Sequence, residues 1–136
     1  MTTGYAREAE LTPAEATRAR RRLRRLRADA EALRLVRKVA EWRDVPLETL
    51  VHTTRCAADI ALSRQIAMYL VHTALSRSYD TVALLFRRDR TTVAHACAQI
   101  EDLRDDRLWD RRLAAIEERF RPRPDTHARE ASYAAA

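Results

Sequence analysis

Residues 63–103 read SRQIAMYLVHTALSRSYDTVALLFRRDRTTVAHACAQIEDL, and this stretch decides the fold. Apolar residues recur at three- and four-residue spacing in three successive segments. The first runs from about Asp59 to Leu75, the second from Tyr79 to Phe86, the third from about Arg90 to Leu103. Such spacing belongs to amphipathic helices. Only Arg87-Arg88-Asp89 separates the second segment from the third. A short apolar helix, a tight turn and a longer helix with polar, basic residues at its start predict a helix-turn-helix. Ser78 is expected to cap the second helix and Asp89 the third, with Asp59 as a plausible cap for the first. In the third helix Val93, Ala96, Cys97 and Ile100 should face a core. Arg90, Thr91, Ala94 and His95 are then left on the outside or the edge.

Working outward, Leu108, Trp109, Leu113, Ile116 and Phe120 predict a last amphipathic helix, ended by Pro122 and Pro124. Upstream, Thr12-Pro13-Ala14-Glu15 reads as a helix start: Thr12 caps, Pro13 suits the first helical position and Glu15 completes a capping box. No Pro or Gly follows until Pro46, so residues 13–43 form either one helix or two. Leu23, Leu26, Ala30 and Leu33 give that segment a narrow apolar stripe, and Leu47 to Val51 predicts a short helix. The organisation expected is a loose tail over residues 1–11, one helical domain over 12–121 and a disordered tail over 122–136. A single Gly and four Pro leave little turn material for a β protein, so the fold class is all-α.

The chain of 136 residues carries a formal net charge of +6, and Lys38 is the sole lysine beside 25 arginines. That balance favours a polyanionic partner. Seven arginines fall between Arg18 and Arg27. Arg18, Arg21, Arg22 and Arg25 are candidate contacts to a DNA backbone, and a solvated helix face explains the same run equally well. The turn arginines Arg87, Arg88 and Arg90 read as DNA contacts. Arg90 can fork onto guanine, while Thr91 and Thr92 can meet phosphate oxygens or a thymine methyl.

Several functions lose support. A phosphate-cradling loop needs several glycines, and the lone Gly4 cannot build one. His52 with Cys56, and His95 with Cys97, are too few for a structural zinc site. No metal, no cofactor and no catalytic constellation is expected. No apolar run approaches the ~18 residues that span a bilayer. The two cysteines, Cys56 and Cys97, are expected to be reduced thiols in a cytoplasmic, nucleoid-associated protein.

The segments Arg64-Gln65-Ile66-Ala67-Met68-Tyr69-Leu70 and Arg88-Asp89-Arg90-Thr91-Thr92-Val93-Ala94-His95-Ala96 resemble the C-terminal DNA-binding domain of bacterial DnaA, the replication initiator. That family's pattern is close to RQIAMYL, then GGRDHTTV and HAC-x-KI. A weaker likeness reaches back through Leu47-Glu48-Thr49-Leu50 and Val39-Ala40-Glu41-Trp42, so it covers roughly residues 33–103. The resemblance implies a compact helical bundle with a helix-turn-helix, here flanked by an Arg-rich N-terminal helix and an added C-terminal helix. It also implies that Arg64 and Gln65 contact double-stranded DNA and that Asp89, Arg90, Thr91 and Thr92 enter the major groove. The chain departs from the pattern at four places. Arg87 alone replaces the family's Gly-Gly, Arg90 stands for its His, Gln99 for its Lys, and Arg55 is the one basic residue across residues 52–63. The expectation is therefore DNA binding without the family's target specificity, and without the initiator's ATPase domain. Two roles follow: regulation of transcription, or of replication initiation. A module that binds another DNA-binding regulator, the initiator or RNA polymerase is the alternative.

Overall fold

The computed structural model describes residues 11–51 and 57–122. Seven helices run through the described residues, with no strand among them: α1 (Pro13–Ala28), α2 (Ala30–Arg43), α3 (Leu47–Val51), α4 (Ala58–Ala74), α5 (Tyr79–Phe86), α6 (Arg90–Leu103) and α7 (Arg107–Phe120). Residues 1–10, 52–56 and 123–136, which include most of both expected tails, lie outside the described residues.

The capping box at α1 forms as the sequence predicts. Thr12 Oγ1 accepts from the Glu15 amide at 3.2 Å, and Glu15 Oε2 accepts from the Thr12 amide at 2.8 Å. Residues 13–43 make two helices, not one. Asp29 leaves helical geometry (φ −111°, ψ 94°) and its carboxylate accepts from the Ala32 amide at 3.2 Å, capping α2. The Asp side chain competes for backbone donors, so it can end a helix without Pro or Gly. The break shifts the apolar stripe. Leu23 and Leu26 are buried, but Ala30 is exposed and Leu33 only half-buried; Ala32, Leu35, Val36 and Val39 carry the core face onward. Arg77 secures the joint, donating from Nε to Asp29 Oδ2 at 2.9 Å and from Nη2 to Oδ1 at 3.2 Å.

The helix α4 is the spine, packing against α2, α3, α5, α6 and α7. Ile66, Ala67, Met68, Tyr69, Leu70 and Val71 are all buried, so it is covered on every side along its middle. Its N-cap position is Ala57, with no side-chain hydrogen bond, and Asp59 lies in the first turn instead of capping it.

Behind the spine, α7 is fastened by a polar network. Arg104 donates to Asp110 Oδ1 (2.6 Å), Glu117 Oε1 (2.7 Å) and Tyr69 Oη (3.0 Å), and Tyr69 donates to Glu101. Glu117 is therefore buried and paired. Three acceptors for one guanidinium hold the Arg104 pKa above its ordinary value despite the opposing effect of burial. Leu113 and Ile116 face the core; Leu108 does not, because Asp106 caps α7 by accepting from the Leu108 amide and leaves that side chain 60% exposed. Trp109 packs edge-on against Trp42 at 6.0 Å, and the Arg43 guanidinium lies 5.3 Å and 5.7 Å from the two rings.

Candidate nucleic-acid interface

Ser78 Oγ accepts from the Thr81 amide at 3.1 Å and starts α5. The helix ends at Arg87, which takes a left-handed conformation (φ 53°, ψ 51°). The Arg88 amide then reaches back to the Ala83 carbonyl at 2.9 Å and the Arg87 amide to Leu84 at 3.3 Å, the two bonds of a Schellman ending. Glycine usually holds that position, since a Cβ there costs roughly 1–2 kcal/mol. The chain has no glycine to spare; Asp44 and Ser76 also adopt positive φ where α2 and α4 end. At Arg87 a long-range contact helps: Arg22 in α1 donates from Nη1 to the Phe86 and Arg87 carbonyls at 3.5 and 3.4 Å.

Asp89 occupies the N-cap of α6 through its backbone, with the Val93 amide on its carbonyl at 3.2 Å, but its side chain makes no capping bond. The carboxylate stays exposed at the tip of the turn, which corrects the expectation of a side-chain cap. Val93, Ala96, Cys97 and Ile100 are buried, while Arg90, Thr91, Thr92 and His95 are exposed and Ala94 lies at the edge. His95 and Cys97 thus point to different sides of α6 and share no ligand. Burial and the nearby Glu101 push the Cys97 thiol up to about 11. Among the described residues, no group of three or more His, Cys, Asp or Glu could hold a metal.

Arg90 is not isolated. Its Nε lies 3.4 Å from Asp80 Oδ1, in the first turn of α5. Nothing in the sequence marked Asp80; it stands beside Arg90 only once the two helices have folded back. The two lie on the wall of an open groove of about 540 Å³ between α1 and the helix-turn-helix, which Arg25, Arg87, Arg88 and Leu84 also line. Leu84 is 58% exposed there.

The remaining predicted residues separate. Arg18 and Arg21 are exposed on α1 away from the groove lining, and Gln65 is half-buried. Arg64 is 8% exposed and donates from Nε to the Leu50 carbonyl at 2.7 Å, so part of its donor set is engaged in tying α4 to α3. Arg22 turns inward to the backbone of the turn. Its pKa is lowered first by burial, then by the charges of Arg87 and Arg64. Arg55 lies outside the described residues.

The family described as bacterial dnaA protein helix-turn-helix matches residues 34–100. Residues 34–100 form a DnaA-type helix-turn-helix domain. The chain is 36% identical over 76 residues to the chromosomal replication initiator protein DnaA of Thermus thermophilus, covering 55% of this chain and 17% of that protein. It is 35% identical over 85 residues to DnaA of Laribacter hongkongensis, covering 61% and 18%, and 44% identical over 55 residues to that of Bordetella pertussis, covering 40% and 12%. The chain therefore spans less than a fifth of the length of these relatives. The DnaA-type domain is a DNA-binding helix-turn-helix. The arginine run of α1 and the whole of α7 lie outside the family match. Among the described residues no helix is long and apolar enough to cross a membrane.

Proposed function

We propose that the chain is a sequence-specific binder of double-stranded DNA that regulates transcription or replication initiation. On this reading α6 enters the major groove by its N-terminal turn, and Thr91, Thr92 and His95 meet base edges or phosphates. The observation that carries it is the start of α6: Arg90 lines one groove with Arg25, Arg87 and Arg88, and Thr91 and Thr92 follow it exposed, on a helix whose other face is engaged in the core. Asp80 refines the role of Arg90. With Nε turned to Asp80, the terminal Nη pair is left to fork onto guanine O6 and N7, so Asp80 aims the guanidinium. Arg18, Arg21 and Arg25 add backbone contacts, whereas Arg22 supports the turn from inside and Arg64 contributes from the helix-start wall beside Gln65. Arg55, outside the described residues, is proposed as a further DNA contact.

A second reading has one observation in its favour. The exposed Leu108 beside the half-buried Trp109 offers an apolar contact for another regulator, the initiator or RNA polymerase.

The deciding experiment is recovery of fragmented genomic DNA on the purified chain, followed by sequencing. Enrichment of a few promoters assigns transcription control, and enrichment at the replication origin assigns replication control. If Arg90→Ala with Thr92→Ala recovers the same fragments as the parent, the α6 reading fails. If changes at Trp109 or Leu108 abolish function while that double variant retains it, the protein-interaction reading replaces it.

A further inference from the structure

A second basic surface lies at the other end of the spine. Two adjoining clefts, of about 310 and 320 Å³, open between α2 and the C-terminal end of α7; both are lined by Arg34, Arg119 and Phe120. Arg37 and Lys38 flank one cleft, and Arg121 and Leu75 the other. Leu75 follows the last turn of α4, 11 residues beyond Arg64. At about 1.5 Å per residue, this end is roughly 16 Å along the helix axis from the end that carries Arg64 and Gln65.

The charges here are not balanced. Two carboxylates border the clefts, and both already have partners: Glu41 pairs with Lys38 at 3.9 Å and Glu31 with Arg77 at 3.7 Å. Among the described residues, Arg34, Arg37, Arg119 and Arg121 meet no carboxylate within ion-pair distance. Elsewhere Arg43, Arg77, Arg90 and Arg104 each face at least one. Arg34 and Arg37 of α2, Arg119 of α7 and Arg121 just beyond it line two adjoining clefts that share a wall, and they repel one another unless an anion sits between them.

We infer that these two adjoining clefts together bind the phosphate backbone of a second DNA duplex, so that the chain bridges two duplex segments. Duplex DNA presents one charge per ~1.7 Å of axis, a row dense enough to meet several of these arginines together. Arg34, Arg37 and Lys38 follow one another at the i, i+3, i+4 spacing of a single helix face and would track such a row. An acidic protein segment fits less well. Tight protein partners need a buried apolar anchor, and the apolar walls here, Leu75 and Phe120, are already packed into the chain's own core. Donors come without base-reading geometry, so the contact is to backbone and indifferent to sequence. Bridging rests on the proposed helix-turn-helix function; the cleft itself does not.

The test uses the full chain, one duplex fixed on beads and a second, fluorescent duplex in solution. The parent should retain the fixed duplex and capture the second. The variant Arg34→Ala, Arg37→Ala, Arg119→Ala, Arg121→Ala should keep the circular dichroism spectrum and the fixed duplex but lose tenfold or more of the capture. Lysine at the same four positions, which keeps charge, should restore most of it. Capture by the alanine variant equal to that of the parent overturns the inference, as does a parent that holds the fixed duplex and captures nothing. Cleft-dependent binding to phosphatidylglycerol vesicles without capture of duplex overturns it in favour of a lipid surface. A parent that fails to retain even the fixed duplex sinks the helix-turn-helix reading as well, and is recognisable by that first step.

Discussion

Arg22 donates from Nη1 to the backbone carbonyl of Arg87, 65 residues further along the chain, at 3.4 Å. One residue of the arginine run thus supports the turn that presents α6. Its charge also meets the negative end of α5, where the last carbonyls lack helical partners. Arg22→Ala should lower stability by about 1 kcal/mol, whereas Arg21→Ala, exposed on α1, should leave it unchanged. Thermal melting of the two variants checks this. Equal melting temperatures would mean that the contact contributes nothing.

Arg87 stands in a left-handed conformation that favours glycine. Replacing it by glycine relieves roughly 1–2 kcal/mol of backbone strain and gives back about 0.4–1 kcal/mol through a looser unfolded chain. Arg87→Gly should therefore stabilise the fold by a few tenths to 1 kcal/mol while weakening DNA binding. Denaturant unfolding reads the first effect. A salt titration reads the second: five phosphate contacts give a slope of log K against log salt near −4 to −5, and losing one reduces its magnitude by about 1.

Asp80 and Arg90 act on specificity. Arg90→Ala should cost about 1–3 kcal/mol on the preferred site and relax the choice of base there. Asp80→Ala frees the Arg90 guanidinium from its Nε partner. It should raise affinity for arbitrary duplexes, by removing a negative charge from the groove, and blunt discrimination at the same base. Selection from a random duplex pool separates the two. An unchanged base preference in the Asp80 variant would show that Arg90 needs no such partner.

The network behind α4 predicts an alkaline limit. Burial, then the hydrogen bond to Glu101, pushes the Tyr69 hydroxyl up to about 12. An unfolded tyrosine ionises near 10, so the folded chain holds this proton more tightly. The contribution is intact below pH 10 and lost as pH rises from about 10 to 12. Unfolding curves across that window should show the loss, and Tyr69→Phe should flatten it. Glu117→Ala should be the harsher change, on the order of 3 kcal/mol, because it removes one of the two carboxylates that neutralise the half-buried Arg104.

Helix positions were legible wherever local chemistry decided them. The Thr12–Glu15 box, the Ser78 cap and the burial of Val93, Ala96, Cys97 and Ile100 follow from residue type and spacing. The misses arise where a distant group intervenes or a short side chain can act in more than one way. Asp29 splits residues 13–43 with Arg77 held against it, while Asp59 and Asp89 look like caps yet make no capping bond at α4 and α6. An aspartate before a helix can cap, pair or face solvent, and its neighbours in sequence do not say which.

The division follows from range. Periodicity near 3.6 residues and the scarcity of glycine already specify an all-α chain, because helix formation depends on residues a few positions apart, and the resemblance of the Arg88–Ala96 motif to the DnaA family adds the type of helix-turn-helix. The partnerships of the charged residues depend on separations that only the packed helices create. Arg22 on the carbonyl of Arg87, Asp80 beside Arg90, Glu117 buried against Arg104, and the four arginines around the α2–α7 cleft are of this kind. A charge acts through space, and the chain alone does not state which of its 25 arginines will stand next to what.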